Sequence, residues 1–332
     1  MKIHYSRAAC IIVFAACLPQ AQAEPMKQDL PYALLLGLAA ALPAVHASPN
    51  IQMEGSLGTG YRQDKLNWNI AGTTAGTDPN VLSELTWKNV DIAQLRAGGK
   101  ITYKNDWVVR GAASYGKIVT GQNQDSDFDG DNRTLEFSRS NNKTGGDVRD
   151  ASLGVGHTFR FFDKTVGKFI YLTPLAGYSL HEQNLNMTNG YQTWPPRGAF
   201  SGLDTTYNTE WKGPWLGMDA WLQAGPKLAV IASMEYHWVD YSADANWNLR
   251  NDFAHPLSFT HSAKGHGYTV SLGGSYTFTR RLLLNVTLEH RKWTTDPGKD
   301  VTYFADGTTG QTRFNQANWE SMAAMVEAMV RF

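Results

Sequence analysis

The sequence lacks several features that mark other classes of protein. Its two cysteines, Cys10 and Cys17, both lie near the N-terminus. Beyond the N-terminal region, no run approaches the roughly 18 apolar residues that a transmembrane helix needs. Lys and Arg total 30, as do Asp and Glu, so the net charge is zero. This balance argues against a nucleic-acid partner. The hydrophobic residues are instead spread over many short segments.

Two N-terminal segments have the pattern of export signals. One runs from Met1 to Ala23 and the other from Met26 to Ala47. Each has a basic start, an apolar centre and a small-x-small end. We interpret Met26 as the true start and expect cleavage after Ala47. This gives a signal region at 1–47 and one domain at 48–332. Both cysteines would be removed, leaving no disulfide for the oxidising periplasm.

The C-terminal segment, Met322 to Phe332, alternates strictly between two faces. One face carries Met322, Val326 and Phe332, and the other carries Glu327 and Arg331. Similar alternation recurs at 93–103, 107–115, 154–161, 268–279 and 282–289. Period-two segments separated by turn residues are typical of a transmembrane β-barrel. A soluble sandwich or lipocalin-like barrel is the alternative, but it would need a packed apolar interior. The sequence therefore predicts an all-β, antiparallel barrel in the outer membrane of a Gram-negative bacterium.

The spacing of turn-rich segments predicts about ten strands. We expect long extracellular loops at 64–81, 121–147, 184–205, 243–264 and 294–317, and short periplasmic turns at 103–106, 163–167, 223–226 and 279–281. The 11 Trp, 14 Tyr and 14 Phe residues would form girdles at the two membrane interfaces. A ten-stranded lumen is narrow enough to fill with side chains, which disfavours a diffusion pore.

At this point the chain resembles a known family. The segments that carry the resemblance occur in the family's order, at 83–88, 175–178, 211–217, 238–240 and 318–320. They are similar to segments of the omptins, ten-stranded outer-membrane endopeptidases of Gram-negative bacteria. A related superfamily member with the same barrel is a surface adhesin without protease activity. The resemblance therefore implies the architecture more firmly than the function.

The omptin site pairs two carboxylates on one wall with an Asp-x-His on the opposite wall, with a water between them. The resemblance carries the first pair onto Asp125 and Asp127 and the partner aspartate onto Asp244. No histidine occupies the matching position, where a general base is required. His255 or His261 on the returning strand could substitute by approaching Asp244. If the site is active, the protein is an omptin-type endopeptidase.

The acidic segment also fits a second pattern. Asp125, Asp127, Asp129, Gly130 and Glu136 match the calcium-loop spacing D-x-D-x-D-G-x5-E. This hypothesis places Ca²⁺ on the four carboxylates, and the alternative is a solvated acidic loop. The two functional hypotheses compete, because a carboxylate that coordinates Ca²⁺ activates water poorly.

The resemblance also concerns contacts with lipid on the outer wall. The resemblance implies lipopolysaccharide binding at Tyr178 and Lys264, although Leu180, Glu182 and Glu210 depart from the family's pattern. Two functions stay open. One is a divergent or inactive surface endopeptidase acting on peptides. The other is a non-enzymatic adhesin or ligand-binding barrel that contacts a host surface.

Overall fold

The computed structural model describes residues 50–163 and 167–332. The predicted signal region and both cysteines lie outside these residues. Within them, no helix is long and apolar enough to cross a membrane. The strands are β1 Ile51–Ile70, β2 Ser83–Tyr103, β3 Trp107–Gly130, β4 Thr134–His157, β5 Phe159–Asp163, β6 Lys168–Trp194, β7 Gly198–Ala199, β8 Thr205–Gln223, β9 Leu228–Asn246, β10 Phe259–Thr277, β11 Leu282–Thr295, β12 Gly298–Tyr303 and β13 Thr309–Arg331. A single 3-10 turn, Asp131–Arg133, joins β3 to β4.

The strands close into an antiparallel ring. The order around it is β1, β2, β3, β4, β6, β8, β9, β10, β11 and β13, and β1 returns to β13, with Gly55 opposite Val330. β12 continues the wall above β11, because both strands pair with β10 on one side and β13 on the other. Closure leaves the ten ring strands without an open edge, so the backbone groups that face lipid are paired within the ring. The predicted ten-stranded barrel is confirmed.

An apolar belt surrounds the outer face at the end where the short turns lie. The exposed aromatic residues at its lower margin include Trp107, Phe159, Phe161, Phe169 and Phe278. Those at its upper margin include Tyr61, Tyr115, Tyr178, Tyr236 and Trp238. Leu95, Leu153, Leu272 and Leu288, each more than half exposed, lie between the two girdles. Short turns mark the periplasmic end of such barrels, so the opposite end is extracellular.

The strands continue well beyond this belt on the extracellular side. β3 and β4 run on to Gly130 and Thr134, through the segment predicted as a loop at 121–147. The excursions are long, as expected, but they consist mainly of strand. Their inner faces pack together and most of their outer-face residues are polar, and this combination sustains a water-exposed sheet. The predicted short turns at 103–106, 223–226 and 279–281 fall between strands.

The interior differs between the two halves of the barrel. In the extracellular half, buried aromatic rings fill it: Trp68, Trp87, Tyr207, Trp211, Tyr241, Trp293, Phe314 and Trp319. Tyr207 stacks on Trp87 with ring centroids 5.3 Å apart. The expectation of a polar inner face was therefore wrong for this half. Water, not lipid, surrounds it, so the apolar residues turn inward.

The membrane-embedded half keeps the polar interior that the sequence predicts. Arg62 pairs with Asp150 at 2.9 Å, and Arg110 pairs with Glu235 at 2.6 Å. His237 is 1% exposed, and its Nδ1 lies 3.1 Å from Oγ of Ser179. Buried charges need such partners, because an unpaired charge in the interior is costly.

Candidate functional site

Asp125 and Asp127 lie on the extracellular part of β3 and share the inner side of the wall. Their cross-strand partners on β2 are Leu85 and Ser83. Burial and the charge of Asp127 raise the pKa of the Asp125 carboxyl well above its usual value. Burial also raises the pKa of Asp127, although hydrogen bonds from Ser83 and Ser138 lower it in part. The pair is thus a shielded acidic site, and its catalytic role stays a prediction.

The charge that faces this acidic pair belongs to an arginine. Arg250, in the segment between β9 and β10, lowers the pKa of both carboxyls. Its guanidinium is also held by Asp252, with Nη2 2.7 Å from Oδ2. A guanidinium stays protonated at neutral pH and has no lone pair with which to accept a proton. Arg250 can therefore hold an anion near the pair, but it cannot act as a general base.

Asp244 does not join this site. Its side chain is exposed on the outer face of β9 and accepts a hydrogen bond of 3.0 Å from Nδ2 of Asn208. Its neighbours Ala243 and Ala245 are the residues that point inward. Because successive side chains alternate across a strand, the matched position falls on the wrong face. Asp244 therefore does not face Asp125 and Asp127 across the barrel, contrary to what the resemblance implied.

Neither substitute histidine approaches Asp244 in the manner expected. His261 is 1% exposed, with Nδ1 2.9 Å from the Tyr207 hydroxyl and Nε2 3.2 Å from Oδ1 of Asp300. Burial lowers its pKa. His255 is exposed, and its Nδ1 lies 2.7 Å from Oδ1 of Asn246. His261 is thus enclosed in the aromatic core, while His255 lies in the same segment as Arg250.

The four calcium candidates are not gathered around one point. Asp125, Asp127 and Asp129 lie along the extended strand β3, and Glu136 forms an ion pair with Arg139. Carboxylates two residues apart on a strand are about 6.6 Å apart along the chain, too far to converge as they do in a turn. No group of three or more potential metal ligands occurs at residues 50–163 or 167–332. The calcium-loop geometry predicted from spacing is therefore not formed.

The two lipid candidates lie on the outer wall above or at the upper girdle. Tyr178 is 53% exposed on β6. Lys264 on β10 pairs with Asp240 at 3.1 Å, and Lys212 is the opposite neighbour of Asp240 on β8. Lys212 pairs with Glu210 at 2.5 Å, so each of the two lysines is matched by a carboxylate. Lipopolysaccharide binding at Tyr178 and Lys264 stays a prediction.

A second group of ionisable residues was not singled out from the sequence. Asp150 forms ion pairs with Arg62 and Arg291 and also contacts His181. Nδ1 of His181 lies 2.8 Å from Oδ1 of Asp150. These residues come from β1, β4, β6 and β11, so the sequence spacing carries no sign of the cluster. The one available signal was that each occupies an inward position on a period-two segment. The cluster fills the lumen immediately below the aromatic core.

Comparisons with known proteins agree with this geometry. The family model described as Pom, Protochlamydia outer membrane protein, matches residues 56–332. The outer membrane protease OmpT of Escherichia coli has a similar structure, with TM-score 0.67 and 16% identity, covering 86% of this chain and 97% of that one. The translocator domain of NalP from Neisseria meningitidis matches at TM-score 0.35 and 14% identity, covering 92% and 95%. A search of curated proteins found no significant match.

The fold, the belt and the family match define an outer-membrane β-barrel. The chain belongs to the Protochlamydia outer membrane protein family, whose model covers nearly all of the barrel. It sits in the lipid and lipopolysaccharide of the outer membrane. At 16% identity, the similarity to OmpT shows a shared fold alone.

Proposed function

We propose that this protein is a non-enzymatic surface barrel that presents a binding surface outside the cell. The observation that carries the proposal is the aromatic core in the extracellular half, where an omptin-like protein would need an open, water-holding groove. Of the two histidines considered for that role, the exposed His255 has both ring nitrogens engaged, Nδ1 2.7 Å from Oδ1 of Asn246 and Nε2 3.2 Å from the backbone oxygen of Arg250. The other, His261, is buried among rings, with Phe314 4.4 Å away between centroids. A base must reach the water that it activates, and this ring is fully enclosed.

The distal outer wall supplies a surface that fits the proposed role. Leu135, Phe137, Tyr191 and Trp194 are 73%, 46%, 52% and 49% exposed on β4 and β6. We call these four residues the tip patch. Phe137 is about 16 residues beyond the belt residue Leu153, or about 50 Å of strand. Lipid in the same membrane therefore cannot cover the patch. Exposed apolar clusters of this kind mark interaction sites.

Adhesion measurements test this proposal. Bacteria that display the full chain are incubated with host cells, and bound bacteria are counted by flow cytometry. We expect the double variant Phe137→Ser, Tyr191→Ser to reduce binding at least fivefold. The control variant Leu249→Ser removes an exposed apolar residue from a different extracellular segment and should leave binding unchanged. Equal binding by both variants and the wild type would overturn the tip patch as the docking surface.

A divergent endopeptidase is the second candidate, favoured by the buried pair Asp125 and Asp127. It is tested on purified protein reconstituted with lipopolysaccharide and given a peptide with a dibasic site. Cleavage that is lost in Asp127→Asn and retained in Asp129→Asn would establish this activity and reject the non-enzymatic proposal. We expect no cleavage in any of the three proteins.

A further inference from the structure

The periplasmic end of the barrel contains a large cavity that neither candidate function uses. Its volume is about 750 Å³, and its lining includes Asn105 in the turn between β2 and β3 and Phe332 after β13. Binding sites for small molecules usually measure about 300–1,000 Å³. The aromatic core fills the lumen at the extracellular end. This periplasmic cavity therefore exchanges solutes with the periplasm.

The charged side chains of the periplasmic cavity cancel one another. Arg331 pairs with Glu54 at 2.7 Å, and Arg110 pairs with Asp219 at 2.9 Å. Lys100 lies opposite Glu54 on β1, and its charge also acts on Asp219. Four basic residues line the cavity and four carboxylates pair with or face them: Lys100, Arg110, Arg160 and Arg331, and Glu54, Asp106, Asp219 and Glu235. A charged ligand would lose hydration there without gaining a counter-charge, so the cavity favours a neutral one.

Hydroxyl groups form much of the remaining polar lining. Six residues of the lining carry one: Thr102, Thr158, Thr173, Ser233, Ser271 and Ser275. The hydroxyls of Thr158 and Thr173 lie 2.9 Å apart, and those of Ser233 and Ser271 lie 2.8 Å apart. Each hydroxyl has one donor and two acceptor positions, so both pairs keep the capacity for a further partner. Groups that donate and accept match the hydroxyl groups of a neutral polyol.

Asn285 adds an acceptor that the wall itself does not satisfy. It lines the same cavity and is 7% exposed, and its Oδ1 is buried without a hydrogen-bond partner among the described residues. Leaving a buried acceptor without a donor costs free energy. A ligand hydroxyl that donates to Oδ1 would remove this cost. The required ligand is therefore neutral and carries at least one hydrogen-bond donor.

Tyr171 and Trp221 give the periplasmic cavity an aromatic surface. Their rings stack with centroids 4.9 Å apart and planes 16° from parallel, and both residues line the cavity. A flat aromatic face packs against an apolar face of a ligand while its surroundings bind the polar edge. A sugar ring has an apolar face of C–H groups and a rim of hydroxyls. It therefore matches the aromatic pair and the hydroxyl lining together.

We propose that the periplasmic cavity binds a neutral sugar, with its ring against Trp221 and one of its hydroxyl groups donating to Oδ1 of Asn285. The cavity lies at the opposite end of the barrel from the tip patch and the acidic pair. Its ligand therefore comes from the periplasm, and the proposal holds or fails independently of the extracellular function.

Three sugars that share one ring and differ in charge test this proposal on the wild type, so the result does not depend on how a variant folds. Glucose is neutral, glucosamine carries an ammonium group and glucuronic acid carries a carboxylate. Each is titrated into the full barrel in detergent micelles and followed by saturation-transfer NMR, at a pH where both charged groups are ionised. Glucose should bind at least fivefold more tightly than either charged sugar. No binding of glucose, or equal or tighter binding of a charged sugar, would overturn the proposal.

Two variants locate the sugar within the barrel. Trp221→Leu removes the aromatic face and Asn285→Leu removes the acceptor, and each should weaken glucose binding at least fivefold. The control Trp107→Leu removes an exposed tryptophan from the outer face at the same end and should leave binding unchanged. In the wild type, glucose should slow alkylation of Trp221 by a nitrobenzyl bromide reagent at least threefold, followed by mass spectrometry, with Trp107 as the internal reference. Unchanged binding in both cavity variants, or equal protection of the two tryptophans, would overturn the proposed site.

Discussion

The hydroxyl of Tyr207 lies 2.9 Å from Nδ1 of His261, and both side chains are buried inside the barrel above the membrane belt. The same hydroxyl lies 2.6 Å from that of Tyr241. Asp300 lies on the other side of the imidazole, 3.2 Å from Nε2. A histidine held between a hydroxyl and a carboxylate resembles part of a catalytic triad. Here aromatic rings enclose it, and we infer that it stabilises the core.

Replacing His261 should therefore affect stability. His261→Ala removes one partner each from Tyr207 and Asp300, which keep Tyr241 and Thr312. It also leaves a cavity among the rings, and large-to-small substitutions in a core typically cost about 2–5 kcal/mol. We expect a loss of about 2–5 kcal/mol in the free energy of unfolding, measured by denaturant titration in micelles. The control, His255→Ala, alters an exposed side chain and should change it by less than about 0.5 kcal/mol. A stable His261→Ala protein would contradict the structural role.

Arg62 provides a second test of the interior. Its guanidinium binds both Asp64 and Asp150, and its own side chain is 1% exposed. Arg62→Leu leaves two buried carboxylates with less compensation, and breaking a buried pair typically costs about 3–5 kcal/mol. We expect a loss of this size, seen as a lower temperature at which the barrel migrates as unfolded in electrophoresis. Arg149→Leu, which removes an exposed arginine from β4, is the matched control and should have little effect.

The stability contributed by Asp125 should depend on pH in a defined direction. Its pKa is raised in the folded barrel, so the folded state binds the proton more tightly than the unfolded state does. The ionised carboxylate therefore destabilises the fold at neutral pH, and this penalty fades as pH falls towards the unfolded value, about 3.9. Asp125→Asn should raise the melting temperature at pH 7, with a gain that shrinks by pH 4. A gain that is constant with pH would contradict this assignment.

Calcium should leave the thermal stability unchanged. The acidic residues of 125–129 lie along an extended strand, and Glu136 already binds Arg139, so the cation would have to disrupt existing structure to collect its ligands. Melting temperatures with calcium and with a chelator should agree within about 1 °C, where a ligated site would shift them by several degrees. A shift that disappears in Asp129→Ala would restore the calcium hypothesis.

Much of the fold follows from local patterns. The strands and short turns could be predicted because a lipid-facing strand must alternate, and a tight turn needs particular residues. The apolar residues also switch from outward-facing to inward-facing positions where a strand leaves the membrane. On β13, Trp319 is buried inside, whereas Met322 and Val326 are exposed outside. This switch marks the point where lipid ends and water begins. It was present in the sequence, and it explains why five of the 11 tryptophans, Trp68, Trp87, Trp211, Trp293 and Trp319, became residues of the aromatic core instead of girdle residues.

By itself, the sequence determined an outer-membrane barrel of about ten strands and its orientation, because alternation and turns depend on residues that are neighbours along the chain. Only the tertiary structure decided that Asp244 faces outward, that His261 is enclosed by rings and that Lys100 meets Arg110 in a periplasmic cavity. These outcomes depend on register and closure, which bring together residues up to hundreds of positions apart. A shift of one residue in register moves a side chain to the other face of the wall.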